Sequence, residues 1–358
     1  MNTAVRAHLL VDTLREPERA RAYGIRDWET LVWQSRAAEL MAQLHAALDG
    51  ADALGAAPPA ARRHLELAGS VAAKHALAVK CELREIQEAL EPLGIPVLLL
   101  KGAAYCALGH PASRGRLFND IDLLVPRQAL PEAEKRLLWA GWLPAHTNAY
   151  DDRYYREWMH EIPPMEHKHR ATVLDVHHTI LPPTSGIRPD PRQFFDAALP
   201  LTGEFSFFSV LGHTDMVIHS ACHLFFGEFH KGLRDLHDLH RLLSDFAADS
   251  KFWSALTDRA AHLGLSLPVL DALTQCQRLY RTAVPVETLQ ALRQVQTSPF
   301  PRALREWMFE HALRPVHGSA FGPSTGLAHR MVFVRSHWLR MPLPLLAYHL
   351  SHKALFAD

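Results

Sequence analysis

Apolar residues recur at helical spacing in two long blocks, separated by a stretch that follows another rhythm. From Asp27 to about Leu48, the positions Leu31, Trp33, Ala37, Leu40, Met41, Leu44 and Leu48 predict one helix with Asp27 as its N-cap. After a break at Gly50 and Gly55, Ala57-Pro58-Pro59 opens a longer helical pattern from about Ala60 to Leu90. Proline suits a first turn because the N–H it lacks has no helical partner there. The character changes at Gly94-Ile95-Pro96. Val97 to Leu100 is a short apolar run between turn residues and predicts a buried strand, followed by a small-residue helix, Gly102 to Leu108, and a loop from Gly109 to Phe118. Asp120 to Val125 predicts a second strand. Gln128 to Ala140 predicts a helix, ended by Gly141, which tolerates the left-handed conformation of a helix end. Thr172 to Ile180 predicts another strand, and Glu161 to His167 a weaker one interrupted by prolines.

Beyond Gly212 the spacing is helical again, in Asp215–Phe226, Leu233–Phe246, Phe252–Leu263, Leu267–Tyr280, Val286–Val295 and Ala303–Leu313. Met331 to Phe356 is apolar but interrupted by Arg335, Arg340, Pro342 and Pro344. It reads as a packed terminal helix, with a membrane or an apolar substrate as the alternative contact. The order predicts an α+β fold, a small mixed-sheet core with large helical N- and C-terminal extensions. The expected divisions are a helical segment 1–93, a core 94–210 and a helical domain 211–358.

Composition narrows the class of protein. Of 358 residues 48% are hydrophobic and 21% charged, the balance of a folded globular chain. Lys plus Arg and Asp plus Glu are both 38, which excludes a protein basic throughout but leaves room for a local basic groove. No uncharged apolar run is long enough to span a bilayer. The first twenty residues do not read as a secretory signal. Cys81, Cys106, Cys222 and Cys276 are scattered without a CxxC pair, the pattern of reduced, mostly buried thiols, so a cytoplasmic location is expected.

The chemistry is concentrated in the middle of the chain. Asp120 and Asp122 are two residues apart on a predicted strand, so both carboxylates face one side while Ile121, Leu123 and Val125 face the other. Two carboxylates that close repel, and a divalent cation between them removes the repulsion; Mg²⁺ takes one or two carboxylates together with substrate phosphates. Lys101 and Gly102 directly follow a buried strand, where a glycine and a helix N-terminus suit an anion and the lysine adds charge. Arg114 and Arg116, in the loop before the carboxylate strand, are placed to clamp phosphate oxygens. Asp175 is a single carboxylate inside the apolar strand Val173-Leu174-Asp175-Val176-His177 and needs a partner; a shared metal is one.

The run LLLKGAAYCALGHPASRGRLFNDIDLLV, then Ala140-Gly141-Trp142 and later VLDVHHTI, resembles the bacterial family of uncharacterised nucleotidyltransferases within the DNA polymerase β-like superfamily. The family pattern of Lys-Gly after a strand, Arg ahead of Asp-Ile-Asp-Leu-Leu-Val, and later Asp-x-His falls here on Lys101, Gly102, Arg116, Asp120, Asp122, Asp175 and His177. Cys222-His223-Leu224 through Arg234 and Asp238 is similar, less specifically, to the family's downstream helices. The resemblance implies a nucleotidyltransferase core and transfer of a nucleoside monophosphate from an NTP, such as ATP, to a hydroxyl of an acceptor. It implies Mg²⁺ or Mn²⁺ on Asp120, Asp122 and Asp175, nucleotide contacts from Lys101, Gly102, Arg114 and Arg116, and an accessory or acceptor-side role for His177, Arg234 and Asp238. A protein, a peptide, an RNA end and a small molecule all remain open as acceptor.

Two other readings stand beside this one. The wider superfamily carries Gly-Ser after its first strand, and Lys101-Gly102-Ala103 replaces it here, as expected of a degenerate fold that binds a nucleotide or a partner without turnover. The chain also carries 24 histidines. His219 and His223 are four apart on one helix, and His237-Asp238 follows on the next, a set reminiscent of helical His/Asp metal phosphohydrolases. Arg234 and Asp238 read as an i, i+4 ion pair. The crowd of Glu166, His167, His169, His177 and His178 near the third aspartate reads mainly as packing and surface, as does the cluster of Phe205, Phe207, Phe208, Phe225, Phe226 and Phe229.

Overall fold

A computed structural model of the chain describes residues 8–145, 148–295, 298 and 300–356. Residues 1–7, part of the stretch read as lacking a secretory signal, lie outside the described residues. Helices α1 (Leu9–Arg15), α2 (Ile25–Ala37), α3 (Met41–Gly50) and α4 (Pro59–Leu90) come first. The single helix expected from Asp27 to Leu48 is therefore two. Glu39 takes a left-handed φ of 55°, and the Leu40 N–H turns back to the Ser35 carbonyl, so the chain bends between them. Asp27 is not the N-cap. Gly24 takes that place, and the Asp27 carboxylate accepts from its N–H at 3.3 Å.

The mixed segment follows: β1 (Leu98–Leu99), α5 (Lys101–Leu108), β2 (Asp120–Leu124), α6 (Leu130–Trp139), β3 (Trp142–Pro144), α7 (Ala149–Arg153), β4 (Met165–His167), β5 (Val173–His177), α8 (Arg192–Asp196), β6 (Leu199–Pro200) and β7 (Ser209–Val210). The strands form one mixed sheet in the order β3-β4-β5-β2-β1-β7-β6. The β2–β5 and β1–β7 pairs are parallel, and the rest antiparallel. The weak strand expected over Glu161 to His167 is paired only at Met165–His167, because Pro163 and Pro164 interrupt it; Glu161 keeps an isolated bridge to His177. Strands β3, β6 and β7 have two or three residues each, too short to show an alternating pattern in the sequence.

The remainder is helical: α9 (His213–Phe226), α10 (Gly232–Phe246), α11 (Phe252–His262), α12 (Ser266–Tyr280), α13 (Val286–Val295), α14 (Arg302–Ala312), α15 (Pro323–Arg340) and α16 (Leu343–Phe356). The fold is thus α+β, a small sheet with large helical additions. Helix α9 is apolar almost all round and sits centrally, packed against α10, α11, α12 and α15. Each of its fully buried Val217, Ile218 and Phe225 side chains contributes roughly 2 kcal/mol by leaving water. The apolar core is continuous from Leu9 to Val332 and includes Ile121, Leu123, Leu174 and Val176 of the sheet. The Phe205, Phe208, Phe225, Phe226 and Phe229 rings belong to it. The C-terminal stretch expected as one packed helix is two: in α15 Val332 is fully buried and Arg335 donates to the Phe225 carbonyl, whereas α16, beyond Pro342, leaves Leu343, Tyr348 and Leu350 exposed. No helix among the described residues is long and apolar enough to cross a membrane. Cys106, Cys222 and Cys276 are buried free thiols, and Cys81 is exposed.

The loop between α5 and β2 is clamped against the N-terminal helices. Gly115 has φ 70°, and a side chain there would run into the Ala42 carbonyl and the Gln43 nitrogen of α3. Gly115→Ala combines an unfavourable φ with a backbone collision, and is expected to lower the unfolding free energy in urea by about 2–4 kcal/mol. A loss below about 1 kcal/mol would mean that the loop retreats from α3 without strain.

Candidate functional site

The parallel pairing of β2 with β5 sets Asp122 opposite Asp175, two rungs along from the pair Asp120 and Val173. Residues two apart share a sheet face, so Asp120, Asp122 and Asp175 line one cleft while Ile121, Leu123, Leu174 and Val176 fill the core behind. Asp120 lies at the solvent-exposed start of β2, and Asp122 is buried. The cleft encloses about 420 Å³, with its other wall formed by α9, the start of α10 and the end of α15.

Lys101 comes into this cleft from the neighbouring strand. The Leu100 N–H bonds the Asp122 carbonyl, and Lys101 then turns into α5 with a left-handed φ of 43°. That conformation costs a non-glycine residue on the order of 1 kcal/mol. It is held by an ion pair of 2.7 Å between Lys101 Nζ and Asp122 Oδ1. The same Asp122 oxygen accepts from His177 Nε2 at 3.0 Å. Burial alone would raise the Asp122 pKa, but the Lys101 charge and the His177 hydrogen bond outweigh it and hold it well below the usual carboxylate range. Burial likewise opposes the charge on Lys101, and Asp122 and Asp120 more than restore it.

Asp175 has no such partner. Its Oδ1 is buried without a hydrogen bond. Burial, then the nearby Glu161, Asp122 and Asp120 carboxylates, push its pKa up to about 8. Asp120 is raised as well, by the partial desolvation of its place in the cleft and by the Asp122 charge. The floor of the cleft therefore carries more acid than Lys101 balances.

His160 and Glu161 also reach this floor and were not singled out from the sequence. The segment 160–162 is strapped to β5: His178 N bonds His160 O, Ile162 N bonds Val176 O, and Glu161 bridges His177. Glu161 Oε2 lies 3.3 Å from His177 Nδ1. Burial works against a charge on His177, but Glu161 and the Asp122 hydrogen bond raise its affinity for a proton. His160, Glu161 and His177 each bring a ligand atom to within 4.8 Å of the others, the one such group among the described residues. A lone histidine and glutamate beside a poorly formed strand carry no periodic signal, so only the fold reveals them.

The other expected nucleotide contacts lie elsewhere. Arg116 does not line the cleft. It is buried below it, ion-paired with Asp238 of α10 and set over the Tyr105 ring. Gly102 makes room for it, since a Cβ there would lie 2.8 Å from Arg116 Nε. Gly102 thus admits a guanidinium in this structure, where a phosphate was expected. Arg114 is exposed outside the cleft. The expected pair between Arg234 and Asp238 is not formed either. Arg234 binds Asp235 at 3.0 Å and Glu39 at 3.2 Å, and Asp238 is taken by Arg116.

Cationic groups face the acids from the helical wall instead. Lys231, Arg234 and Arg340 line the cleft together with His219 and His223. The Lys101 charge depresses the pKa of the partly exposed His223 to about 3, and burial holds His219 neutral. His237 points away, packed 5.3 Å from the Tyr280 ring, and burial depresses its pKa to about 3. With His237 on Tyr280 and Asp238 on Arg116, the four-residue ligand set of a His/Asp phosphohydrolase is not gathered in the cleft.

A family model described as uncharacterised nucleotidyltransferase matches residues 25–281. No curated protein and no solved structure matches the chain.

The raised pKa of Asp175 has a consequence for stability. Its native proton affinity exceeds that of the unfolded chain, whose carboxyl titrates near about 4. The stability this group contributes is therefore complete below about pH 4 and is lost as pH rises toward 8. In EDTA, Asp175→Asn is expected to melt above the unsubstituted protein at pH 8, with the gap closing toward pH 5. A gap that is constant, or that widens on acidification, contradicts the assignment.

Proposed function

Because the chain belongs to the family of uncharacterised nucleotidyltransferases, we propose that it transfers a nucleoside monophosphate from an NTP to a hydroxyl of an acceptor, with Mg²⁺ or Mn²⁺ held by Asp120, Asp122 and Asp175. The observation that carries this reading is the register of β2 on β5, which puts Asp122 beside Asp175 and Asp120 in one cleft next to Lys101. The residues fit a hard divalent cation. They offer carboxylate oxygens crowded closely enough that Asp175 keeps its proton when no cation is present, and Asp175 Oδ1 is buried without a hydrogen bond. When bound, such an ion supplies charge neutralisation at the phosphates and acidifies the attacking hydroxyl.

The chain's own groups account for the rest. Lys101 from below, and Lys231, Arg234 and Arg340 from the helical wall, balance the charge of a triphosphate lying across the cleft. The acceptor oxygen forms its bond to the α-phosphorus in line with the bond that breaks to pyrophosphate. Asp175, with its buried Oδ1 lacking a hydrogen bond, would complete the cation site that acidifies the attacking hydroxyl, and the proton released there leaves to solvent. Arg116 acts at one remove, since its buried pair with Asp238 ties the loop ahead of Asp120 to α10.

One observation favours a second reading, nucleotide binding without turnover: Lys101 and His177 already share the Asp122 oxygen that a metal ion would need. Incubation with Mg²⁺ or Mn²⁺ and each labelled NTP separates the two. Transferase activity releases pyrophosphate and labels an acceptor, and Asp120→Ala or Asp122→Ala lowers the rate about a thousandfold or more, on the order of 4 kcal/mol. Saturable NTP binding with no pyrophosphate, in the presence of cell extract as acceptor source, supports the second reading, and release of orthophosphate contradicts both.

A further inference from the structure

We infer that His160, Glu161 and His177 form a binding site for a transition-metal ion of the Zn²⁺ class, alongside the aspartate site and distinct from it in ligand chemistry. Each of the three brings a ligand atom to within 4.8 Å of the other two. Two imidazoles beside one carboxylate suit Zn²⁺ or Co²⁺ better than Mg²⁺, which prefers oxygen alone.

The individual atoms bear this out. His160 Nδ1 and His177 Nδ1 are both buried without a hydrogen-bond partner. A buried polar nitrogen left in that state costs about 1–3 kcal/mol, and an ion between the rings gives both a partner. Glu161 Oε2 is 3.3 Å from His177 Nδ1 yet lies outside hydrogen-bond alignment with it. On the far side of the same ring, Nε2 is fixed by Asp122 Oδ1 at 3.0 Å. A carboxylate behind a metal-ligating histidine sets its tautomer and orientation. The backbone is anchored too, because residues 160 and 162 are hydrogen-bonded along β5. The three side chains also line the cleft, so an ion held by them keeps a position open to substrate or water. Asp122 thereby links the two sites, serving one with a carboxylate oxygen and steadying a histidine of the other.

The test uses the full chain stripped with EDTA, Co²⁺ as probe and no nucleotide, so its outcome does not depend on whether the protein turns over NTP. A single equivalent of Co²⁺ is expected to give visible d–d absorption that Zn²⁺ abolishes and excess Mg²⁺ leaves intact. His160→Gln and Glu161→Gln are expected to weaken Co²⁺ binding by roughly 10–100-fold, and Asp120→Asn to leave it unchanged. Circular dichroism and melting of the metal-free variants show that each is folded. Absent d–d bands, bands unaltered in both His160→Gln and Glu161→Gln, or bands erased by Mg²⁺ would each overturn the assignment.

Discussion

Two carboxylates side by side on adjacent parallel strands repel each other, and the middle of this chain is organised around that repulsion. The β2–β5 register sets Asp122 beside Asp175, with Asp120 two residues away on the same face. Moving β5 by one residue would turn Asp175 into the core and bring Leu174 or Val176 into the cleft, so the buried apolar set enforces the register. What the backbone brings together, the side chains must then neutralise. Lys101 and His177 do this for Asp122, while Asp175 escapes the repulsion by holding a proton.

The helical additions complete the site as well as cover it. Helix α10 contributes on two levels, Asp238 holding Arg116 below the cleft and Arg234 entering the cleft itself. Glu39, at the left-handed bend between α2 and α3, reaches Lys231 and Arg234 and ties the first helices to the same wall. Residues from both ends of the chain thus orient cations over an acidic floor built in the middle.

Much of this was legible in the sequence because it depends on local rules. The apolar run ahead of Lys101, the alternation through Asp120 and Asp122, and the single acid within Val173–His177 each declare a strand and a face. The long helices declare themselves by spacing. What stayed hidden depends on tertiary partners. Nothing local shows that Arg116 will be captured by Asp238, 122 positions later, rather than by a phosphate. Nor can spacing show that Arg234 turns to Glu39 and Asp235. His160 and Glu161 precede two prolines in a segment that is barely a strand, and they become site residues only because β5 pulls that segment onto its edge.

The proposed chemistry requires a divalent ion to meet three carboxylates from two strands. Anomalous diffraction from crystals soaked with Mn²⁺ and a non-hydrolysable NTP tests that contact directly. An anomalous peak is expected within coordination distance of Asp120, Asp122 and Asp175, with Lys101 moved off Asp122 to the phosphates. No peak among these carboxylates, with the Lys101–Asp122 pair intact and nucleotide bound, would contradict it.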